Sequence, residues 1–365
     1  MYINNVTLTI TKNCNLRCQY CFVTKSEVRG AMPLDIVQRS VQFLLDQLRR
    51  SQSKTTGTIT FFGGEPLLFW SMIKKIVEYA ITEANDAHYQ MEFMLSTNGT
   101  LLDAEKLAFI RQHKIFTDIS IDSHNETIHN NLRPFANGKG SFRRIVANLR
   151  LLRKGDPVGI KATITPTNIG LVDYFAHFSK PGTLSSIAFS PFFSAGCTDN
   201  FSEHDVERYR IELEAYANFL VENWSKGKIV SPERNLLSLI RLLASEREGK
   251  SLSSCLAASR SIVVSMNGDI YPCEPLADIP DFYLGNIQSG FDNQLREKMI
   301  ERINSKNKKG CENCPAKAWC GESCISCSYV MGNCDSGDKA LGAIMRYNFL
   351  IAEALLEKID TLTKQ

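Results

Sequence analysis

Over the first two hundred residues, short β-branched runs alternate with segments of helical period. Residues 6–11 read as a strand, followed by a helix over 33–49 whose apolar positions are Ile36, Val37, Val41, Phe43, Leu44 and Leu48. Pro33 suits the first turn of that helix, where a missing N–H costs nothing. The pattern continues with strands over 57–62, 91–96, 116–122, 158–165 and 187–192. Helices are predicted over 71–85, over 103–113 with Asp103 as N-cap, over 141–154, and after Gly170. Six strands alternating with helices predict an α/β fold with a parallel sheet, curved as a partial (β/α)6 barrel over residues 1–200. In such folds the active site lies at the carboxyl ends of the strands. Residues 201–250 read as a charged helical bridge. The texture then changes to Cys-, Gly-, Ser- and Asn-rich over 251–338, with little periodicity, and 339–365 returns to helix. A segment so poor in apolar positions is expected to fold around metal centres.

Composition narrows the function. The 365 residues include 42 Lys plus Arg and 39 Asp plus Glu, a net charge of +3, which gives no electrostatic case for nucleic acid as a partner. No apolar run approaches the roughly 18 residues of a membrane span, since the most apolar stretch, 236–244, is broken by Arg241. Residues 1–10 lack a basic n-region and an apolar h-region, so the expected location is the cytoplasm. Twelve cysteines are then unusual, and eight of them fall between Cys255 and Cys334. Reducing cytosol disfavours disulfides, and closely spaced sets read as ligands converging on a metal.

Cys14-Asn15-Leu16-Arg17-Cys18-Gln19-Tyr20-Cys21 directly follows the first predicted strand. An iron–sulfur cube normally takes four thiolates, so three cysteines leave one iron with an exchangeable ligand. The alternative is a structural zinc completed by a distant Cys or His. The spacing Cys-x3-Cys-x2-Cys, with Tyr20 before the last Cys, resembles the signature of the radical S-adenosylmethionine (radical SAM) superfamily. Phe62-Gly63-Gly64-Glu65-Pro66, at the end of the second predicted strand, resembles that family's GGEP motif. Glycines there would let a ligand approach the backbone closely, and Glu65 would accept from the ligand's ammonium. The resemblance implies that Cys14, Cys18 and Cys21 hold a 4Fe-4S cluster whose open iron chelates S-adenosyl-L-methionine. Reductive cleavage would then yield a 5′-deoxyadenosyl radical that abstracts hydrogen from substrate. It also implies cofactor contacts from Ser96 and Asn98, in Ser96-Thr97-Asn98-Gly99, and from Ser120 and Asp122, in Ser120-Ile121-Asp122. Arg133 would meet the methionyl carboxylate. Family members follow that Asp with Gly and Pro, where this chain has Ser123 and His124. The alternative for Asp122 and Arg133 is a surface ion pair.

The later cysteines, Cys255, Cys273, Cys311, Cys314, Cys320, Cys324 and Cys334, are similar in spacing to the seven-cysteine pattern of SPASM domains. That likeness implies two auxiliary clusters, three 4Fe-4S clusters in all. Cys255, Cys273 and Cys324 would serve the nearer one and Cys311, Cys314, Cys320 and Cys334 the farther. The nearer cluster has an open iron or uses Cys327. All-Cys zinc is the rival, because all six histidines lie at or before His204. Cys197 stands outside every pattern and reads as a small buried hydrophobe.

SPASM enzymes act mostly on peptides and proteins, so the resemblance implies a peptide or protein substrate and an external reductant of flavodoxin or ferredoxin type. Sulfatase maturases carry an Asp base directly after the cysteine equivalent to Cys273, and this chain has Glu274. The alternative for Glu274 is a solvated loop carboxylate. Only thirteen residues precede Cys14, which leaves no room there for a winged leader-binding domain. A separate leader-peptide-binding protein, or strand addition to an exposed edge, would present the substrate. The leading expectation is an oxidoreductase that modifies or crosslinks a ribosomally made peptide. Behind it stand an anaerobic sulfatase maturase making formylglycine and a zinc-binding scaffold.

Overall fold

Strand β1 (Asn5–Thr11) buries Val6, Leu8 and Ile10 on one face and Thr7, Thr9 and Thr11 on the other. Burial on both faces is the mark of a central strand in a parallel sheet covered on each side. The computed structural model describes residues 2–23, 29–51, 56–179, 183–192, 201–250, 255–304, 314–316, 326 and 339–362. Cys197, Cys311, Cys320, Cys324, Cys327 and Cys334 lie outside these residues.

The chain divides into two compact units. The first contains Met1–Ile121, His129–Gly159 and Leu256–Arg302. In it β1, β2 (Gly57–Gly63), β3 (Met91–Thr97) and β4 (Phe116–Ser120) run parallel in that order. They alternate with α1 (Leu34–Arg50), α2 (Trp70–Asp86) and α3 (Ala104–Gln112), the predicted βαβ pattern. Helix α1 buries Ile36, Val37, Val41, Leu44, Leu45 and Leu48, while Phe43 packs edge-on against Phe291 at 5.4 Å. Asp103 caps α3 by accepting from the Lys106 N–H at 2.9 Å, as its sequence position predicts. Helices α4 (Glu126–Leu132) and α5 (Phe142–Leu149) follow β4.

The segment read as lacking periodicity contributes strands to this same sheet. β7 (Ser261–Val264) pairs in parallel with the free edge of β1, in register Asn5↔Ser261 to Leu8↔Val264. β8 (Asp269–Tyr271), β9 (Gly285–Asn286) and β10 (Gly290–Phe291) continue outward antiparallel, and α9 (Asn293–Asn304) follows. Ile262, Val263, Val264, Ile270, Leu276, Phe282 and Leu284 are buried, so residues 256–302 have apolar contacts beyond any metal centre.

The second unit contains Asp122–Ile128, Ile160–Cys255 and Ile303–Gln365. It holds most of β5 (Val158–Ile164), together with α6 (Leu171–Phe178) and β6 (Ser186–Pro191). The predicted bridge is two helices, α7 (Glu203–Ser225) and α8 (Arg234–Arg247), and α10 (Lys339–Leu362) packs on both. A capping box between Ser202 and Asp205 starts α7, which buries Val206, Tyr209, Leu213, Tyr216 and Leu220 at helical spacing. No helix among the described residues is long and apolar enough to cross a membrane.

Glu233 organises this unit. Its carboxylate accepts from the Phe189 and Asn235 N–H groups, each at 3.0 Å, and from the Leu236 N–H, while its own N–H donates to the Tyr216 hydroxyl at 2.7 Å. Burial pushes its carboxyl from 4.5 up to about 7, against the pull of those N–H groups. The folded state therefore binds more protons than the unfolded one between these values, and this group's contribution to stability falls as pH rises through that window. Urea unfolding of wild type and Glu233→Gln at pH 5 and pH 8 checks this. The wild type should lose ground to the variant on going to pH 8.

Candidate active site

Two backbone segments meet at the carboxyl ends of β1 and β2. The pairing slips by one residue between Thr9 and Thr11, so Thr11 lies opposite Gly63. The Gly64 N–H then donates to the Thr11 carbonyl at 2.7 Å and the Glu65 N–H to the Asn13 carbonyl at 2.8 Å. A methyl group on Gly63 would come within 2.0 Å of the Thr11 oxygen, and one on Gly64 within 2.1 Å of the Asn13 oxygen. Gly63 also has φ of +138°, where side chains are strained. The close approach that these glycines permit is to the chain itself. They clamp the segment that delivers Cys14.

The loop carrying Cys14, Cys18 and Cys21 is held from its other side by residues 132–136. The Arg17 N–H donates to the Pro134 carbonyl at 2.8 Å and the Gln19 N–H to the Leu132 carbonyl at 3.0 Å. The Ala136 N–H donates to the Asn15 carbonyl at 2.9 Å. All three cysteines are half-buried. The Leu16 N–H lies 3.4 Å from the Cys14 sulfur, and Asn98 Nδ2 lies 3.8 Å from it. Arg133 Nη1 lies 3.8 Å from the Cys18 sulfur, with its guanidinium 5.4 Å over the Tyr20 ring. Burial is the largest influence on the Cys14 thiol and pushes it up, while the Leu16 N–H opposes that. Among the described residues, no three His, Cys, Asp or Glu side chains gather closely enough to hold one metal ion. The donor set itself suits an iron–sulfur cluster: three thiols on one loop, with N–H groups aimed at two of them.

Glu65 is fully buried. Its Oε1 accepts from Thr97 Oγ1 at 2.7 Å and from the Leu67 N–H at 3.0 Å, and its Oε2 accepts from the Asn98 N–H at 2.7 Å. A carboxylate offers about four acceptor sites, which leaves about one for a ligand. Burial pushes its carboxyl above the usual range. The Asn98, Thr97 and Leu67 donors and the Arg133 charge work against that. Pro66 starts a short 3-10 turn that Glu65 caps. Asn98 Oδ1 accepts from the N–H and hydroxyl of Thr100, and its Nδ2 donates to Asn15 Oδ1 at 2.9 Å. Thr97, Thr100 and Asn15 escaped the sequence reading, although Thr97 stands inside the motif that singled out its neighbours. The strand's period of two carries the signal. Thr97 continues the buried Phe93–Leu95 face of β3, and Ser96 points to the other.

The structure thus gathers Cys14, Cys18, Cys21, Gly63, Gly64, Glu65, Pro66, Asn98 and Arg133 around one loop. Ser120 ends β4. Asp122 and Arg133 are both buried, so neither is a surface ion pair. Asp122 lies in the second unit, where Oδ1 accepts from the Thr163 N–H at 3.0 Å and its carbonyl accepts from Asn168 Nδ2 at 2.7 Å.

Cys255, Cys273 and Cys314 are half-buried. Glu274, after Cys273, is also half-buried and accepts from Thr7 Oγ1 of β1 at 3.0 Å, unlike a solvated loop carboxylate. Lys12 and Asp278 form an ion pair at 2.6 Å. Two contacts therefore fasten the Cys273 segment to β1 and to the start of the cysteine loop. If Gly64 clamps that loop, Gly64→Ala should lower the iron retained after anaerobic reconstitution by about four atoms, one cluster. Gly170→Ala, which places its methyl in open space, should retain the wild-type amount.

Comparison with known proteins gives two family matches along the chain. The radical SAM superfamily pattern matches residues 8–169. The SPASM iron–sulfur cluster-binding domain matches residues 255–315, ending before Cys320, Cys324, Cys327 and Cys334. The cysteine-type anaerobic sulfatase-maturating enzyme of Clostridium novyi is 24% identical over 86% of this chain and 85% of its own length. The antilisterial bacteriocin subtilosin biosynthesis protein AlbA of Bacillus subtilis is 25% identical over 87% of this chain and 66% of its own. A solved structure described as native anSMEcpe with bound AdoMet and Cp18Cys peptide shares the fold. Its TM-score is 0.77 at 21% identity, over 97% of this chain and 99% of that one. These matches set aside the zinc-scaffold reading. The first strand and its cysteine loop fall in one matched region and the segment fastened to that strand in the other: the chain belongs to the radical SAM enzymes and carries a SPASM iron–sulfur domain at its C-terminal side.

Proposed function

We propose that this enzyme oxidatively modifies or crosslinks a ribosomally made peptide in the cytoplasm, using S-adenosyl-L-methionine and three 4Fe-4S clusters. The observation that carries the reading is the tie between the two cysteine regions. Thr7 and Lys12, on and just after the strand that leads to Cys14, hold Glu274 and Asp278 beside Cys273. A radical abstraction and a following oxidation need both regions at one substrate.

When bound, the first cluster and its cofactor supply a 5′-deoxyadenosyl radical that takes a hydrogen atom from the substrate. Cys14, Cys18 and Cys21 would hold that cluster. Glu65 would accept from the cofactor's ammonium with its remaining acceptor site, and the buried Arg133 would balance a carboxylate. Gly63 and Gly64 fix the loop that all of these depend on. Ser96, Asn98, Ser120 and Asp122 complete the proposed cofactor contacts. Cys255, Cys273 and Cys324 would hold the nearer auxiliary cluster and Cys311, Cys314, Cys320 and Cys334 the farther, with Cys327 as the candidate fourth ligand of the nearer. Glu274 would take the substrate's proton, aimed by its bond from Thr7. A separate leader-binding protein would present the peptide.

Formylglycine formation on a sulfatase is the second reading. The Clostridium novyi maturase favours it by matching along 85% of its own length, and Glu274 offers a carboxylate in the maturase base position.

Reconstituted protein should bind about twelve iron atoms, four for each cluster, and convert S-adenosylmethionine to 5′-deoxyadenosine with dithionite. Cys18→Ala should abolish the conversion, and its persistence in a triple triad mutant would overturn the reading. Cys314→Ala, checked for folding by circular dichroism, should still form uncoupled 5′-deoxyadenosine while losing modified peptide. Mass spectrometry of a neighbouring-gene peptide against a sulfatase peptide separates the two readings: loss of two hydrogens marks a crosslink, an aldehyde marks formylglycine.

A further inference from the structure

The basic residues of this chain are unevenly placed. Between Glu126 and Asp156 there are seven, Arg133, Lys139, Arg143, Arg144, Arg150, Arg153 and Lys154, and no acidic residue. The rest of the chain has 35 basic against 39 acidic side chains, so this stretch alone turns the balance positive. Arg133 is buried at the cysteine loop, and the other six are exposed. Arg143 and Ala147 on α5 and Arg150 at its C-cap follow at helical spacing and share one face. Phe135, Lys139, Arg143, Arg144 and Asn148 line a cleft of about 540 Å³ that contains no carboxylate.

The far wall of that cleft is the cysteine loop's own support. Phe135 pairs with Leu16, between Cys14 and Cys18. Asn148 Nδ2 donates to the Gly99 carbonyl at 2.8 Å and the Thr100 carbonyl at 3.2 Å, next to the Asn98 that points at Cys14. The cleft is thus about one strand spacing, ~4.8 Å, from the loop that carries the thiols. Leu16, which pairs with Phe135, is fully buried. An electron can cross so short a separation, and a carrier docked there need not touch the reacting atoms.

We propose that this basic face docks an acidic one-electron carrier protein that reduces the first cluster. The inference rests on the radical SAM assignment, because cofactor cleavage consumes one electron. The carrier gives up that electron and is oxidised by one, and no proton or group crosses the interface. Electron-transfer encounters are small and short-lived, and complementary charge supplies their speed more than their affinity. An open, cationic cleft behind the cluster loop meets those requirements.

The test uses the full-length protein with an acidic flavodoxin held reduced by its reductase. The triple reversal Lys139→Glu, Arg143→Glu, Arg144→Glu should weaken flavodoxin binding in low-salt titration by about tenfold or more. Flavodoxin-driven 5′-deoxyadenosine formation should fall about 10- to 100-fold. Added salt should slow the wild type and leave the variant little changed. Iron content and the dithionite-driven rate should stay at wild-type values, which separates lost docking from lost chemistry. If the triple reversal loses iron, the neutral pair Arg143→Gln, Arg144→Gln makes the same comparison with a smaller expected loss. Unchanged flavodoxin binding and rate in an iron-replete variant would overturn the proposal. So would a variant whose only defect is a raised KM for the peptide, since the face would then bind substrate. Wild type that forms no 5′-deoxyadenosine even with dithionite would refute the enzyme assignment itself.

Discussion

The contact on which the site depends is the approach of one backbone to another without side chains between them. Two consecutive glycines let the turn after β2 donate N–H groups to the Thr11 and Asn13 carbonyls at ordinary hydrogen-bond distance. Any Cβ at either position would force these segments apart. The contact does three things at once. It ends the β1–β2 pairing, sets the exit direction of the chain toward Cys14, and carries Glu65 into the interior. Everything proposed for the cofactor follows from that placement.

Burying Glu65 is unfavourable by itself, and its raised proton affinity shows it. Three short donor contacts from Thr97, Leu67 and Asn98 offset the burial. Because those donors sit on β3 and on the turn, the carboxylate also joins β2 to β3 at the site end of the sheet. Asn98 passes the order on, since its amide reaches both Asn15 and the Cys14 sulfur. The site is a chain of short polar contacts mounted on a parallel sheet, and few of its members are free to move singly.

Much of this was legible in the sequence. The alternation from β1 to β6 and the Asp103 cap follow from local chemistry, and the triad with the Gly-Gly-Glu-Pro turn was recognisable as a pair. The glycines' partner was not, because spacing along a chain does not show which carbonyl lies opposite. Asp122 likewise looks the same in sequence whether it meets a cofactor or the Thr163 N–H. The strands β7 to β10 are four, three, two and two residues long, too short for a period of two to stand out. Their place beside β1 is a long-range fact. Ile262, Val263 and Val264 are apolar enough to be core, and only the edge of β1 says where.

That edge has a temporal side. β1 precedes every other strand of the sheet and so leaves the ribosome before them, and β2 covers one of its edges as soon as it follows. Its other edge pairs with Ser261–Val264, so it stays open until that segment has been synthesised, about 200 residues after β2. For that interval the nascent chain exposes the backbone groups of its most buried strand, the situation that invites wrong pairing. Closing so long a loop is slow for entropic reasons. The cysteines from 255 onward emerge only as that closure becomes possible, so the strand leading to the Cys14 loop gains its second neighbour late in synthesis. The sheet edge beside the Cys14 loop is thus supplied by a segment far along the chain from it.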